Sequence, residues 1–178
     1  MRTLIIVAHP HIEHSLINKC WIEELEQQPA QYAIHQLYKV YPDEQIDVQA
    51  EQQLVEQHDH IVFQFPLYWF SAPPLLKKWL DEVLTYGWAY GSRSGYRVGG
   101  KKVTLAISAG IDEREYAHGE KYKYTLEELL RPFELTFEYI HADYHPFFAY
   151  YGIELNSTPE WIAQSVPLYC QFLEEFSK

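Results

Sequence analysis

Apolar and polar positions along this chain fall into blocks whose period switches between that of a buried strand and that of an amphipathic helix. Residues 4–8 (Leu-Ile-Ile-Val-Ala) form a continuous apolar run that stops at His9-Pro10, the pattern of a central strand covered on both faces. From Ser15 to about residue 28 the apolar side chains Leu16, Ile17, Cys20, Trp21 and Leu25 recur at helical spacing, with Ser15 placed as the N-cap. Further strands are expected over residues 32–37, 61–65, 102–107 and 144–148, the one at 102–107 announced by Gly99-Gly100. Helices are expected over residues 73–84, opened by proline, over 124–139, with Pro132 as a kink, and over 159–176. Strands alternating with helices imply an α/β parallel sheet with right-handed crossovers and helices on both faces. At 178 residues, without an internal repeat or a linker, one domain over 1–178 is the expectation.

Composition narrows the function classes. The 14 basic and 25 acidic residues leave a net charge of −11, the wrong sign for following a phosphate backbone, so nucleic acid is not an expected partner. Cys20 and Cys170 lie far apart with no C-x-x-C spacing, which argues against a disulfide framework or zinc site and fits a reducing cytoplasm. The opening apolar run is too short for a signal-peptide core, and no stretch approaches the ~20 apolar residues of a membrane span. Any membrane contact is therefore expected to be peripheral, at the inner face. Aromatic residues make up 16% of the chain, a surplus suited to filling a core, packing around a flat ring or building a dimer interface.

In an open parallel sheet, ligands sit beyond the carboxyl ends of the strands, which directs attention to three loops. The first, residues 9–18, contains no glycine and so is neither a dinucleotide-binding turn nor a Walker loop. It offers a helix N-terminus whose free N–H groups, with the Ser15 hydroxyl and the Asn18 amide, can hold a terminal phosphate; an ordinary N-cap is the plain alternative. His9, His11 and His14 are weak as metal ligands, and no metal is expected; His9, just after the strand, is placed to touch a phosphate or ring edge. The second loop begins Pro66-Leu67-Tyr68-Trp69-Phe70 and sets three aromatics in a row where polar turn residues belong, as a wall for a conjugated ring or as core or dimer packing. The third, Ser108-Ala109-Gly110-Ile111, has small residues where a backbone can approach a ligand. Beyond it Tyr116, His118 and Tyr122 are candidate proton donors.

Taken together, these loops resemble the flavodoxin-like NAD(P)H quinone reductase family, especially its short bacterial branch, which includes ancillary proteins of glutathione-regulated potassium efflux systems. The stretches carrying the resemblance are residues 4–10 (LIIVAHP), 37–43 (LYKVYPD), 65–77 (FPLYWFSAPPLLK) and 87–91 (GWAYG). It implies a flavodoxin-like, doubly wound, five-stranded parallel sheet and a homodimer with the cleft at its interface. It implies FMN, favoured over FAD by the short chain, and hydride transfer from NAD(P)H to a quinone in two steps. It assigns His9, Ser15, Leu16, Ile17 and Asn18 to the phosphate and ribityl region. Pro66, Leu67, Tyr68, Trp69 and Phe70 go to the ring, and Ser108, Ala109, Gly110 and Ile111 to its pyrimidine edge. Tyr116 matches the tyrosine of a catalytic tyrosine–histidine pair, with His118 as the second member and Tyr122 as the alternative from ungapped spacing. The third loop departs from the family's usual Thr-Thr-Gly-Gly, so Ile111 has to meet the ring through its backbone. A regulatory subunit docked on a potassium-efflux transporter is the alternative function.

Overall fold

The computed structural model describes residues 2–93 and 95–178. Its sheet runs in the order β2-β1-β3-β4-β5, all pairings parallel, with β1 at Thr3–Val7, β2 at Tyr32–Gln36, β3 at His60–Pro66, β4 at Lys102–Ala109 and β5 at Asp143–Tyr144. The order reverses between β1 and β3, the switch point at which such sheets leave a crevice beyond their carboxyl ends. The fifth position, expected as one strand over 144–148, consists of β5 and a separate β6, Phe148–Tyr151, which pairs with β4 from Ala106 to Ala109. Pro146 lies between them; without an N–H it cannot continue the ladder, and its carbonyl instead accepts from Thr104 Oγ1 at 2.8 Å.

Alternation along the strands divides the core in two. Ile5, Val7, Val62 and Ala106 face α1 (Ile17–Leu25) and α6 (Pro159–Phe176), where they meet Trp21, Leu25, Tyr169 and Leu173. Leu4, Ile6, Phe63, Phe65, Leu105 and Ile107 face the opposite layer of α3 (Val48–Glu56), α4 (Pro74–Val83) and α5 (Leu126–Tyr139). α5 opens on a capping box, the Thr125 hydroxyl accepting from Glu128 N and the Glu128 carboxylate from Thr125 N, and it runs unbroken through Pro132.

Two helices were not expected, the short α2 at Leu37–Val40 and α3. In α3 the inward face carries Glu51 beside Val55, so a charge occupies a position where the helical period calls for an apolar residue. The Glu51 carboxylate is fully buried and accepts from His35 Nε2 at 2.8 Å, the Tyr41 hydroxyl at 2.6 Å and Trp79 Nε1 at 2.7 Å. Burial alone would raise its pKa; these donors outweigh that and hold it below the ordinary value. One carboxylate thus fastens β2, the turn after α2, and α4 to α3.

Candidate functional site

The three loops converge at the carboxyl ends of β1, β3 and β4. Ala8 N donates to Gln64 O at 2.9 Å and Leu67 N to Ser108 O at 2.9 Å, which fixes the first loop against β3 and the second against β4.

In the first loop a single 3-10 turn, Ile12–His14, precedes α1. Ser15 is extended, and its Oγ accepts from Asn18 N at 3.0 Å, the geometry of an N-cap two residues before the assigned helix start. Leu16, expected on the apolar face, is exposed instead. Its N–H and that of Ile17 make no hydrogen bond among the described residues, leaving two donors at the positive end of the helix. The Asn18 side chain is buried, and Nδ2 donates to Ser108 Oγ at 2.8 Å. Asn18 lies three residues past the cap, where the helical turn directs it down onto the sheet. His9 Nδ1 accepts from His11 N at 3.1 Å. Burial, reinforced by the neighbouring His11, lowers the His9 pKa to about 4. The ring is therefore neutral at physiological pH with its proton on Nε2.

The second loop is a two-residue hairpin closed by Tyr68 N to Ser71 O and Ser71 N to Tyr68 O, both 2.9 Å. Trp69 and Phe70 both have positive φ, 48° and 63°, the type I′ turn that normally selects Asn-Gly. Two bulky side chains in the left-handed region cost roughly 1–2 kcal/mol each, strain of the kind that gathers at functional sites. Trp69 is 92% exposed. The Trp69 and Phe70 N–H groups have no partner among the described residues, so the turn presents two backbone donors and an uncovered indole. Pro66 ends β3 and Leu67 packs on the core below.

Ser108 and Ala109 do not belong to the third loop as expected but are the last residues of β4, in register with Tyr150 and Tyr151. The turn proper starts at Gly110, whose backbone lies against Glu154: a Cβ there would come within 2.6 Å of Glu154 Oε1. Ile111 packs on the core. After a 3-10 turn at Glu113–Glu115, Tyr116 turns inward. Its ring neighbours are Tyr122 at 5.1 Å and Tyr151 at 5.8 Å, and Tyr122 in turn meets Phe70 at 5.1 Å. Burial, then Tyr122 and Glu154, push the Tyr116 phenol up to about 12, so it remains a donor. His118 does not share this cluster. Its Nδ1 faces Lys123 O at 3.0 Å, its Nε2 lies 3.3 Å from Glu128 of the capping box, and its side chain is 70% exposed. The residue that the third loop sets beside Tyr116 is Tyr122.

Reading of the loops alone missed Gln64 and Tyr169, buried side chains on β3 and α6 that bond to Asn18 and to each other. The legible signal was a glutamine inside the run Ile-Val-Phe-Gln-Phe, a polar group in a strand covered on both faces. Among the described residues no cluster of three or more His, Cys, Asp or Glu is placed to hold a metal ion, and no helix is long and apolar enough to cross a membrane.

The chain and its fold are similar to those of known proteins. Among curated proteins, the chain is 49% identical over 174 residues to the uncharacterized NAD(P)H oxidoreductase YrkL of Bacillus subtilis, covering 98% of each chain. It is 38% identical to the glutathione-regulated potassium-efflux system ancillary protein KefG of Yersinia enterocolitica, over 97% of this chain and 92% of that one. Among solved structures, general stress protein 14 of Treponema denticola in complex with FMN superposes with a TM-score of 0.93 at 44% identity, covering 99% of both chains. An NADPH-quinone reductase from P. pentosaceus superposes with a TM-score of 0.85 at 33% identity, covering 97% of both. A family model described as flavodoxin-like fold matches residues 1–171, and with the strand order and its switch point this assigns the chain to the flavodoxin-like fold family.

Proposed function

We propose that this protein binds FMN across the carboxyl ends of β1, β3 and β4 and uses it to pass a hydride from NAD(P)H to a quinone. The observation that carries the reading is a set of unpartnered donors converging beside an exposed aromatic turn: the N–H groups of Leu16, Ile17, Trp69 and Phe70 with the neutral His9 Nε2–H. Such a set fits a ligand rich in acceptors, with an anionic group at one end and a flat carbonyl-bearing ring at the other. The FMN-bound relative and the quinone reductase relative support the same chemistry.

In this reading Ser15 and the N–H groups of Leu16 and Ile17 hold the phosphate at the start of α1, with His9 beside them. Pro66, Leu67 and Tyr68 support the turn that aims the Trp69 and Phe70 N–H groups at the polar edge of the ring, and Gly110 and Ile111 close its far edge. When bound, FMN supplies the acceptance of a hydride from NAD(P)H and its onward transfer. Tyr116, kept protonated by burial, offers its hydroxyl to negative charge developing at the ring, with Tyr122 packed on its flank. His118 sits at the rim, paired to Glu128. Two copies are proposed to cover the open ring face; the exposed Trp69, Tyr86, Leu135 and Tyr139 support a protein–protein contact.

The deciding experiment purifies the protein, releases and identifies its chromophore, and measures NAD(P)H oxidation with a soluble quinone. A protein that binds no flavin refutes the reading. The similarity to the potassium-efflux ancillary protein favours a second role, docking on a transporter, which co-purification with such a transporter from the native host would establish.

A further inference from the structure

Beneath the first loop four polar side chains connect through an otherwise apolar interior. The Tyr169 hydroxyl lies 3.0 Å from Gln64 Oε1, and Gln64 Nε2 lies 3.2 Å from Asn18 O and 3.3 Å from Asn18 Oδ1. Asn18 Nδ2 lies 2.8 Å from Ser108 Oγ. Amide orientation and hydroxyl protons in such chains follow from the partners, and here one partner is unambiguous. The backbone carbonyl of Asn18 can only accept, so the Gln64 NH2 must face it and Gln64 Oε1 must face Tyr169, which therefore donates. The same NH2 requires Asn18 to turn Oδ1 toward it, and hence Nδ2 toward Ser108. Ser108 Oγ must then accept, and its own proton has to leave the network. Ser108 is 8% exposed at the end of β4, and its hydroxyl makes no other hydrogen bond among the described residues. Ser15 is in the same position: its Oγ accepts from the Asn18 N–H, and its proton too has no acceptor among the described residues.

We infer that Asn18, oriented by Gln64 and Tyr169, is a positioning residue that holds the Ser15 and Ser108 hydroxyls as donors toward the acceptor-rich chain of the bound cofactor, its phosphate or its ribityl oxygens. This rests on the proposed flavin reading. A free hydroxyl can donate or accept; here the hydrogen bond each one accepts, from the Asn18 side chain at Ser108 and from the Asn18 backbone N–H at Ser15, leaves its proton to point out of the network, so the site meets an acceptor without first reorienting.

Asn18→Asp inverts the arrangement with almost no change of shape. The carboxylate still accepts from Gln64 but cannot donate, so Ser108 turns its proton inward; a carboxylate in the first turn of a helix is tolerated, and the backbone N–H that binds Ser15 remains. The experiment measures dissociation constants of the apoprotein for FMN and for riboflavin by fluorescence quenching, with Asn18→Asp, Ser108→Ala, their double variant and Tyr169→Phe. Ser108→Ala should weaken binding about five- to tenfold, the usual worth of one neutral hydrogen bond. Asn18→Asp should weaken it at least as much, and the double variant should bind no more weakly than Asn18→Asp alone, since the donor is already lost. Tyr169→Phe should weaken binding two- to fivefold, an effect that a purely structural hydroxyl would confine to the melting temperature. Loss with FMN alone identifies the phosphate as the acceptor, and loss with both flavins identifies the ribityl chain. Wild-type affinity in Ser108→Ala, or additive effects with both flavins, overturns this inference while leaving the flavin reading intact. A wild-type protein that binds neither flavin refutes the flavin reading itself.

Discussion

The second-loop turn sets stability against binding at a single residue. Trp69 occupies the first central position of a type I′ hairpin at φ 48° and is 92% exposed, so as a folded-state contact it contributes little, while its backbone bears left-handed strain of roughly 1–2 kcal/mol. Trp69→Asn places at that position the residue such turns prefer and buries nothing new. The apoprotein should therefore gain about 1 kcal/mol, which for a chain of this length raises the melting temperature by ~2–4 °C. In the proposed site the same substitution removes an aromatic surface, worth ~1–3 kcal/mol in stacking platforms elsewhere, and FMN affinity should fall roughly 5- to 150-fold. The two effects are separated by melting the apoprotein without flavin, because bound ligand stabilises by mass action, and by titrating FMN through its fluorescence quenching. If Trp69→Asn lowers the melting temperature of the apoprotein, the indole is a packing residue and the strain argument fails. If FMN binds to it as tightly as to the wild type, the turn is not part of the flavin site.

Tyr116→Phe should leave flavin content and melting temperature nearly unchanged while slowing flavin reduction by NAD(P)H in a stopped-flow trace by up to ~10²–10³, less where water reaches the ring. His118→Ala, made in parallel, should leave that rate unaltered. Because the Tyr116 pKa is pushed up to about 12, its contribution to the pH–rate profile should be flat from pH 6 to 10. Glu51→Ala strips the acceptor from His35, Tyr41 and Trp79 and should destabilise the fold by about 3 kcal/mol or more in urea unfolding, because each buried donor left without an acceptor costs roughly 1–3 kcal/mol. The His9 pKa is lowered from 6.5 to about 4, so the unfolded chain binds the proton more readily. Stability from this group is complete above pH 6.5 and is lost as pH falls through 4. His9→Gln should therefore show a shallower loss of stability than the wild type between those values.

Much of the architecture was readable from local pattern, because a strand buried on both faces needs a continuous apolar run and an amphipathic helix needs its own period. β1, β3 and α6 announce themselves this way, and the loops that follow β1, β3 and β4 locate the crevice once the sheet is known to be parallel. α3 did not, because its buried face carries Glu51, a residue that local pattern assigns to solvent and that only His35, Tyr41 and Trp79 make tolerable. At the third loop Tyr116 and His118 are two positions apart, yet packing sets Tyr122 beside Tyr116 and turns His118 toward Glu128, an outcome that spacing alone does not fix.

The sequence by itself therefore determined the alternation of β1 to β4 with α1, α4, α5 and α6, the glycine-free first loop and the aromatic second loop, all properties of neighbouring residues. The tertiary structure alone decided which polar groups are satisfied from within and which are left facing outward. Asn18 is turned down onto Ser108 rather than outward, and Gln64 and Tyr169, 46 and 105 residues apart from their partners, set the direction of its hydrogen bonds. A donor's availability depends on whether some other group has claimed its lone pair, and when that group lies in another layer of the fold no stretch of sequence contains the information.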